Sequence, residues 1–219
     1  MNDSVLIGLG HRMRSGKDTV AAEILKQYGK EFSIEVIPFA KALKFEVNAL
    51  AEAAGGMESL FNPNRNFIMS KGYYVDFPEW VKFDSAAPMD DPYCPLGKQR
   101  TLLQFYGVMR RDQEEDYWVN KHREAVEKSK AAYVLVPDLR FPNELSYIKE
   151  NGFAVRVDRS GLPEDSHASE TALAGNFPWD YVLDNNGSLE ELRETAVSLF
   201  GDITVSFPYG YNEEYGFGV

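Results

Sequence analysis

The chain has 219 residues and a net charge of −11, from 23 Lys and Arg against 34 Asp and Glu. That balance excludes a general electrostatic grip on DNA or RNA, which needs an excess of cations. A hydrophobic fraction of 44% and an aromatic fraction of 13% exclude a disordered chain and fit one sizeable core, with room for an inserted subdomain. The lone Cys94 excludes an internal disulfide, no apolar run approaches the roughly 20 residues that cross a bilayer, and no leader pattern opens the chain. A cytoplasmic place and no membrane partner are the expectations.

Val5 to Leu9 reads as a buried strand, followed by "GLGHRMRSGKDT" and a helix from Asp18 to Tyr28 with Val20, Ala21, Ile24 and Leu25 at helical spacing. Ile34 to Phe39 reads as a second strand, and "AKALKFEVNALAEAAGG" as an amphipathic helix ended by Gly55 and Gly56. Residues 57–99, rich in Pro, Gly, Asn and aromatics, read as an insertion; Phe77, Trp80 and Phe83 are expected to fill its core rather than stack on a ligand. Arg100 to Lys130 predicts two helices meeting near Gly107 or Asp116. Tyr133 to Val136 predicts a central strand, Pro142 to Asn151 a helix, Phe153 to Val157 and Tyr181 to Leu183 two more strands. Ser188 and Glu191 form a capping box for a last helix, and residues 207–219 have the composition of a flexible tail. Strands alternating with helices predict an α/β fold with a parallel sheet, whose ligands bind beyond the carboxyl ends of the strands.

The stretch after the first strand is nearly a phosphate-binding loop. The standard pattern has four residues between its first Gly and the Gly-Lys pair, then Ser or Thr. Here five residues separate Gly10 from Gly16 and Lys17, and Asp18 precedes Thr19. Backbone N–H groups at a helix start surround phosphates, and the Lys ammonium reaches the outer ones. Gly10, Arg14, Ser15, Gly16, Lys17, Asp18 and Thr19 are therefore the candidate nucleotide-binding residues, with Lys17 catalytic and Thr19 on the Mg²⁺ side. A dinucleotide fingerprint is excluded, because Met13 stands where its third Gly belongs. Asp138 and Arg140, at the end of the central strand, suit a water-bridged Mg²⁺ and a phosphate fork. Arg159 opens a loop long enough for a lid, and Lys41, Lys44 and one of Arg110 or Arg111 are candidate acceptor contacts. His167 has no second His or Cys at ligand spacing and is expected to be a surface hydrogen-bonder.

Taken together, "RSGKDT", "PFAKALK", "RTLLQFYG", "YWV", "VPDLRFPNE", "HASETAL" and "NNGSLEEL" resemble, in order, the phage-type deoxynucleoside monophosphate kinases, which are similar to the wider nucleoside monophosphate kinases. The resemblance implies a P-loop kinase fold over residues 1–206, an insert near 45–110 that binds the monophosphate, and a lid near 159–179. It places Asn186 near the adenine of ATP, Arg100 and Gln104 at the acceptor, and Arg140 on a phosphate. Residue 18, between Lys17 and Thr19, fits that family, in which one residue often intervenes there.

The resulting expectation is transfer of the γ-phosphoryl group of ATP, with Mg²⁺, to a deoxynucleoside 5′-monophosphate for DNA synthesis. Lys17, Asp138, Arg140 and Arg159 would be catalytic, and Thr19 and Asp138 would face the metal. The partners would be small nucleotides only, the protein a monomer or homodimer, and its place the host cytoplasm if a phage encodes it. The rivals are a kinase for another phosphorylated or alcohol acceptor, for which Asp138 would be the base, and a nucleotide-binding switch acting through a protein partner.

Overall fold

A computed structural model describes residues 4–61, 77–162 and 171–206. The proposed tail, His167 and much of the proposed lid lie outside these residues. The chain divides into two compact units, Met1–Phe39 with His122–Val219, and Ala40–Lys121.

The first unit is built on a five-stranded sheet in which every pairing is parallel. In chain order the strands are β1 (Val5–Gly10), β2 (Ile34–Val36), β3 (Tyr133–Leu139), β4 (Gly152–Asp158) and β5 (Tyr181–Asp184), arranged 2-3-1-4-5. β1 is thus central, and all six of its residues are buried. Alternate side chains point to opposite faces. Ile7, Leu9, Leu135, Val155 and Val157 take one face and pack on Val20 and Ile24 of α1 (Lys17–Tyr28) and on Leu199, Phe200 and Ile203 of the C-terminal helix, Leu189–Ser206. Burying each such side chain stabilises by about 1.5–3 kcal/mol.

Two departures from the expected strands have backbone causes. β2 stops at Val36, although Ile37 N–H still donates to Leu135 O at 3.0 Å, because Pro38 has no N–H to continue the ladder. β3 runs on to Leu139, past the expected Val136. Between Gly8 opposite Val136 and Gly10 opposite Leu139, β3 carries one extra residue, a bulge that accommodates Pro137 and re-aims Asp138. Asp138 then accepts the Phe39 N–H at 2.8 Å, fixing the turn after β2.

The second unit contains α2 (Ala40–Ala53), α3 (Met57–Leu60), α4 (Arg100–Gln113) and the start of α5 (Tyr117–Lys128). Val47, Ala51, Leu102, Leu103, Tyr106 and Trp118 form its core, with Phe77 packed against it; Trp80 and Phe83 keep much of their surface exposed. The break between α4 and α5 falls at residues 114–116, as one of the two expected positions had it, while Gly107 is interior to α4 and accepts the Trp118 indole N–H at 3.0 Å. The remaining helix, α6 (Pro142–Asn151), starts as expected at Pro142, and the C-terminal helix is α7. Burial pushes the Cys94 thiol up, leaving it an inert core residue.

Candidate functional site

β1 ends at Gly10 and α1 begins at Lys17, so residues 11–16 form a loop at the carboxyl end of the central strand. Gly16 lies at φ 107°, a left-handed conformation, and a β-carbon there would stand 2.5 Å from Asn185 Nδ2. Only glycine meets both demands. Four residues, Arg12 to Ser15, separate Gly16 from His11, and His11 itself lies at φ 95°. A count begun at His11 thus has the spacing of the standard pattern, with His in place of its first Gly. Gly10, expected among the nucleotide-binding residues, is the last residue of β1: it pairs with Leu139 and Arg156, and its bare α-carbon admits Trp179, whose Cη2 would lie 2.4 Å from a β-carbon.

Lys17, only 5% exposed, turns its ammonium back into the loop, donating to His11 O at 3.0 Å, Arg12 O at 2.5 Å and Ser15 Oγ at 3.3 Å. A charged donor is thus held within the loop and not in bulk water. Ser15 is fully buried, and its carbonyl accepts Asn185 Nδ2 at 2.7 Å. Arg12 and Arg14 are exposed, as is Asp18, whose carboxylate in the first turn of α1 favours the helix dipole. Thr19 is half-buried on the same turn.

The neighbouring strand ends carry the other expected groups. Asp138 holds the Phe39 amide, and Arg140, half-buried, begins the turn into α6, its backbone N–H bound by buried Glu144 at 2.9 Å. Arg159 follows β4 and is exposed. Asn186 follows β5; its side-chain oxygen accepts Ser160 N–H at 2.8 Å and Ser160 Oγ–H at 2.5 Å, and its amide nitrogen donates to Asp184. Asn186 thereby bridges the ends of β4 and β5.

Three residues here escaped the sequence reading: His11, Asp158 and Asn185. His11 Nδ1 approaches Asp158 Oδ1 to 2.9 Å, a close contact without good hydrogen-bond alignment. Burial lowers the His11 pKa below its ordinary value; Asp158 opposes this, and Arg156 and Arg12 add to it. Counting back from Gly16 was the signal that could have found His11. The "NNGSLEEL" motif pointed to the right turn, but not to which Asn faces the loop.

In the second unit, Lys44 is committed to Asp91 at 2.7 Å, and both Lys41 and Lys44 lie over the Tyr93 ring, at 5.6 and 5.5 Å from its centroid. Burial alone would raise the Asp91 carboxyl; Lys44, the Tyr93 N–H and Lys98 together hold it below the usual range. Arg110 lies between two rings, 5.2 Å from that of Tyr106 and 4.9 Å from that of Tyr117, and donates to Tyr106 Oη at 2.8 Å and Glu46 Oε2 at 3.3 Å. Glu46 also accepts both phenols, Tyr106 at 2.8 Å and Tyr117 at 2.6 Å. Burial and the bond to Glu46 push the Tyr117 phenol up to about 12. Arg111 projects differently. With Arg100 and Gln104 it stands at i, i+4 and i+11 along α4, one stripe of the helix that excludes Arg110.

No family model matches the chain. A protein of Acanthamoeba polyphaga mimivirus described as "Putative deoxynucleotide monophosphate kinase" is 37% identical over 79 residues, which is 35% of this chain. The chain matches 41% of that relative's length. Among the described residues, no helix is long and apolar enough to cross a membrane.

Proposed function

We propose that this chain is an ATP-dependent nucleotide kinase that moves the γ-phosphoryl group of ATP onto the 5′-phosphate of a deoxynucleoside monophosphate, giving ADP and the diphosphate. The observation that carries the reading is the loop of residues 11–16, set between a central parallel strand and a helix, with the Lys17 ammonium held inside it. The partial likeness to a viral protein described as a deoxynucleotide monophosphate kinase supports the same acceptor class.

The acceptor accounts for the absence of an assigned general base. A phosphate monoester has a second pKa of about 6, so it is already largely dianionic at pH 7. What remains is to align donor and acceptor and to neutralise the charge spread over the transferred group. In this reading Lys17 and the loop amides hold the ATP phosphates, Arg140 and Arg159 supply further positive charge, and Asn186 borders the adenine. The region Ala40–Lys121 receives the monophosphate through Arg100, Gln104 and Arg111, with Lys41 and Lys44 beside them. Arg111 is preferred to Arg110 because it shares a helix stripe with Arg100 and Gln104.

The residues present suit Mg²⁺, which takes few protein ligands beside phosphates and water. A hydroxyl at Thr19 and a carboxylate at Asp138, re-aimed by the β3 bulge, are the donor types that it accepts. When bound, the ion would neutralise charge on the ATP phosphates.

The test is steady-state ADP release from ATP and Mg²⁺, alone and with each of the four common deoxynucleoside monophosphates and their ribose counterparts, beside Lys17→Ala. Strong stimulation by a deoxynucleotide, lost in Lys17→Ala, is expected. Turnover indifferent to every acceptor would overturn the reading in favour of a switch or another substrate.

A further inference from the structure

We propose that Asn185 is a positioning residue of the phosphate loop: by tying back the Ser15 carbonyl it aims the Gly16 N–H at the bound phosphate. The inference rests on the nucleotide-binding reading and adds to it a residue on a different strand end.

Asn185 follows the last residue of β5 and is 8% exposed. Its own N–H donates to Asp158 O at 2.7 Å, so its backbone is fixed by the end of β4. Its side-chain amide then reaches the Ser15 carbonyl at 2.7 Å, a buried bond spanning 170 residues of sequence. A trans peptide points its C=O and N–H in opposite directions. Holding Ser15 O toward β5 therefore turns Gly16 N–H away from β5. The approach needs Gly16, because any β-carbon there would collide with Asn185 Nδ2 at 2.5 Å.

The chemistry asks for Asn at this position. A buried carbonyl left without a donor loses stability, and a carboxylate in place of the amide would set oxygen against oxygen. Asn186 cannot substitute, because its side chain faces the other way, to Ser160 and Asp184. The two Asn of the motif thus divide the work: the first orients the loop and the second closes the turn between strand ends.

The experiment compares wild type, Asn185→Asp and Asn185→Leu for calorimetric binding of ATP and of tripolyphosphate, which shares the phosphate chain and lacks the base. Circular dichroism checks that each variant is folded. The expected result is a loss of about tenfold or more, the factor that corresponds to about 1.4 kcal/mol, and equal for the two ligands. The wild-type Gly16 amide resonance, which needs no variant, is expected to shift when tripolyphosphate is added. Folded variants with unchanged affinity, or a Gly16 amide that does not respond in a protein that binds tripolyphosphate, would overturn the role of Asn185 alone. Wild type that binds neither ligand would overturn the nucleotide reading, and the inference with it.

Discussion

His11 Nδ1 lies 2.9 Å from Asp158 Oδ1, and the same carboxylate oxygen receives Arg156 Nε at 2.6 Å. The loop of residues 11–16 is thus held at its entry by the end of β4. Burial, the largest influence, carries the His11 pKa below its ordinary 6.5 despite the nearby Asp158. The unfolded chain then binds more protons than the folded one in the interval below pH 6.5, so stability contributed by neutral His11 is full above that pH and is lost as the pH falls. Thermal melts of wild type and His11→Gln from pH 7.5 down to about 5.5 check this: the wild-type midpoint should fall more steeply. Parallel slopes would show that His11 does not titrate differently on folding.

Two glycines of the loop region fail for different reasons, and the difference is measurable. Gly16→Ala meets both a left-handed φ and the Asn185 amide, so it should destabilise by about 1–3 kcal/mol and also weaken ATP binding. Gly10→Ala meets the Trp179 ring, 2.4 Å from the new methyl, and the Leu139 carbonyl at 3.3 Å, so it should lower the urea midpoint while ATP affinity in the folded protein changes less. Equal effects on ATP affinity would contradict the placement of Gly10 outside the loop.

Much of this arrangement was legible in the sequence because it is local. Apolar runs and caps located β1, α1, β3, α6 and α7, and Gly16 with Lys17 located the helix start. What stayed hidden was contact between distant segments. Asn185 meets Ser15 across 170 residues, and Glu46 gathers Tyr106, Arg110 and Tyr117 across 60 to 71, so no spacing rule reveals them. The β3 bulge was hidden for another reason: Pro137 argues against a strand until an extra residue absorbs its missing N–H.

Lys17 has its charge compensated by loop carbonyls, so a structural role can be tested apart from the proposed chemical one. Lys17→Met keeps most of the side-chain volume and removes the ammonium. Turnover should fall by about 100-fold or more, the usual scale for losing a preorganised charge-stabilising donor, while the thermal midpoint moves by only a few degrees. A collapse of the fold with activity lost in proportion would make Lys17 a structural residue instead.

Arg110 and Arg111 are adjacent in sequence and should part in function. Arg110 lies over two tyrosine rings and pairs with Glu46, so Arg110→Ala leaves the half-buried carboxylate and the Tyr106 phenol each short of a donor and removes the cation from the Tyr117 ring. The expected cost is about 1–3 kcal/mol in urea unfolding, with Glu46→Ala costing a similar amount and the double substitution less than the sum of both. Arg111→Ala, which removes a donor to Gly107 O at 3.3 Å, should cost less stability than Arg110→Ala. Its effect should appear as a higher KM for the monophosphate acceptor, with KM for ATP unchanged, because Arg111 shares its helix stripe with Arg100 and Gln104. The reverse pattern, a folded Arg110→Ala with impaired acceptor binding and a silent Arg111→Ala, would move the acceptor contact to the Glu46 cluster.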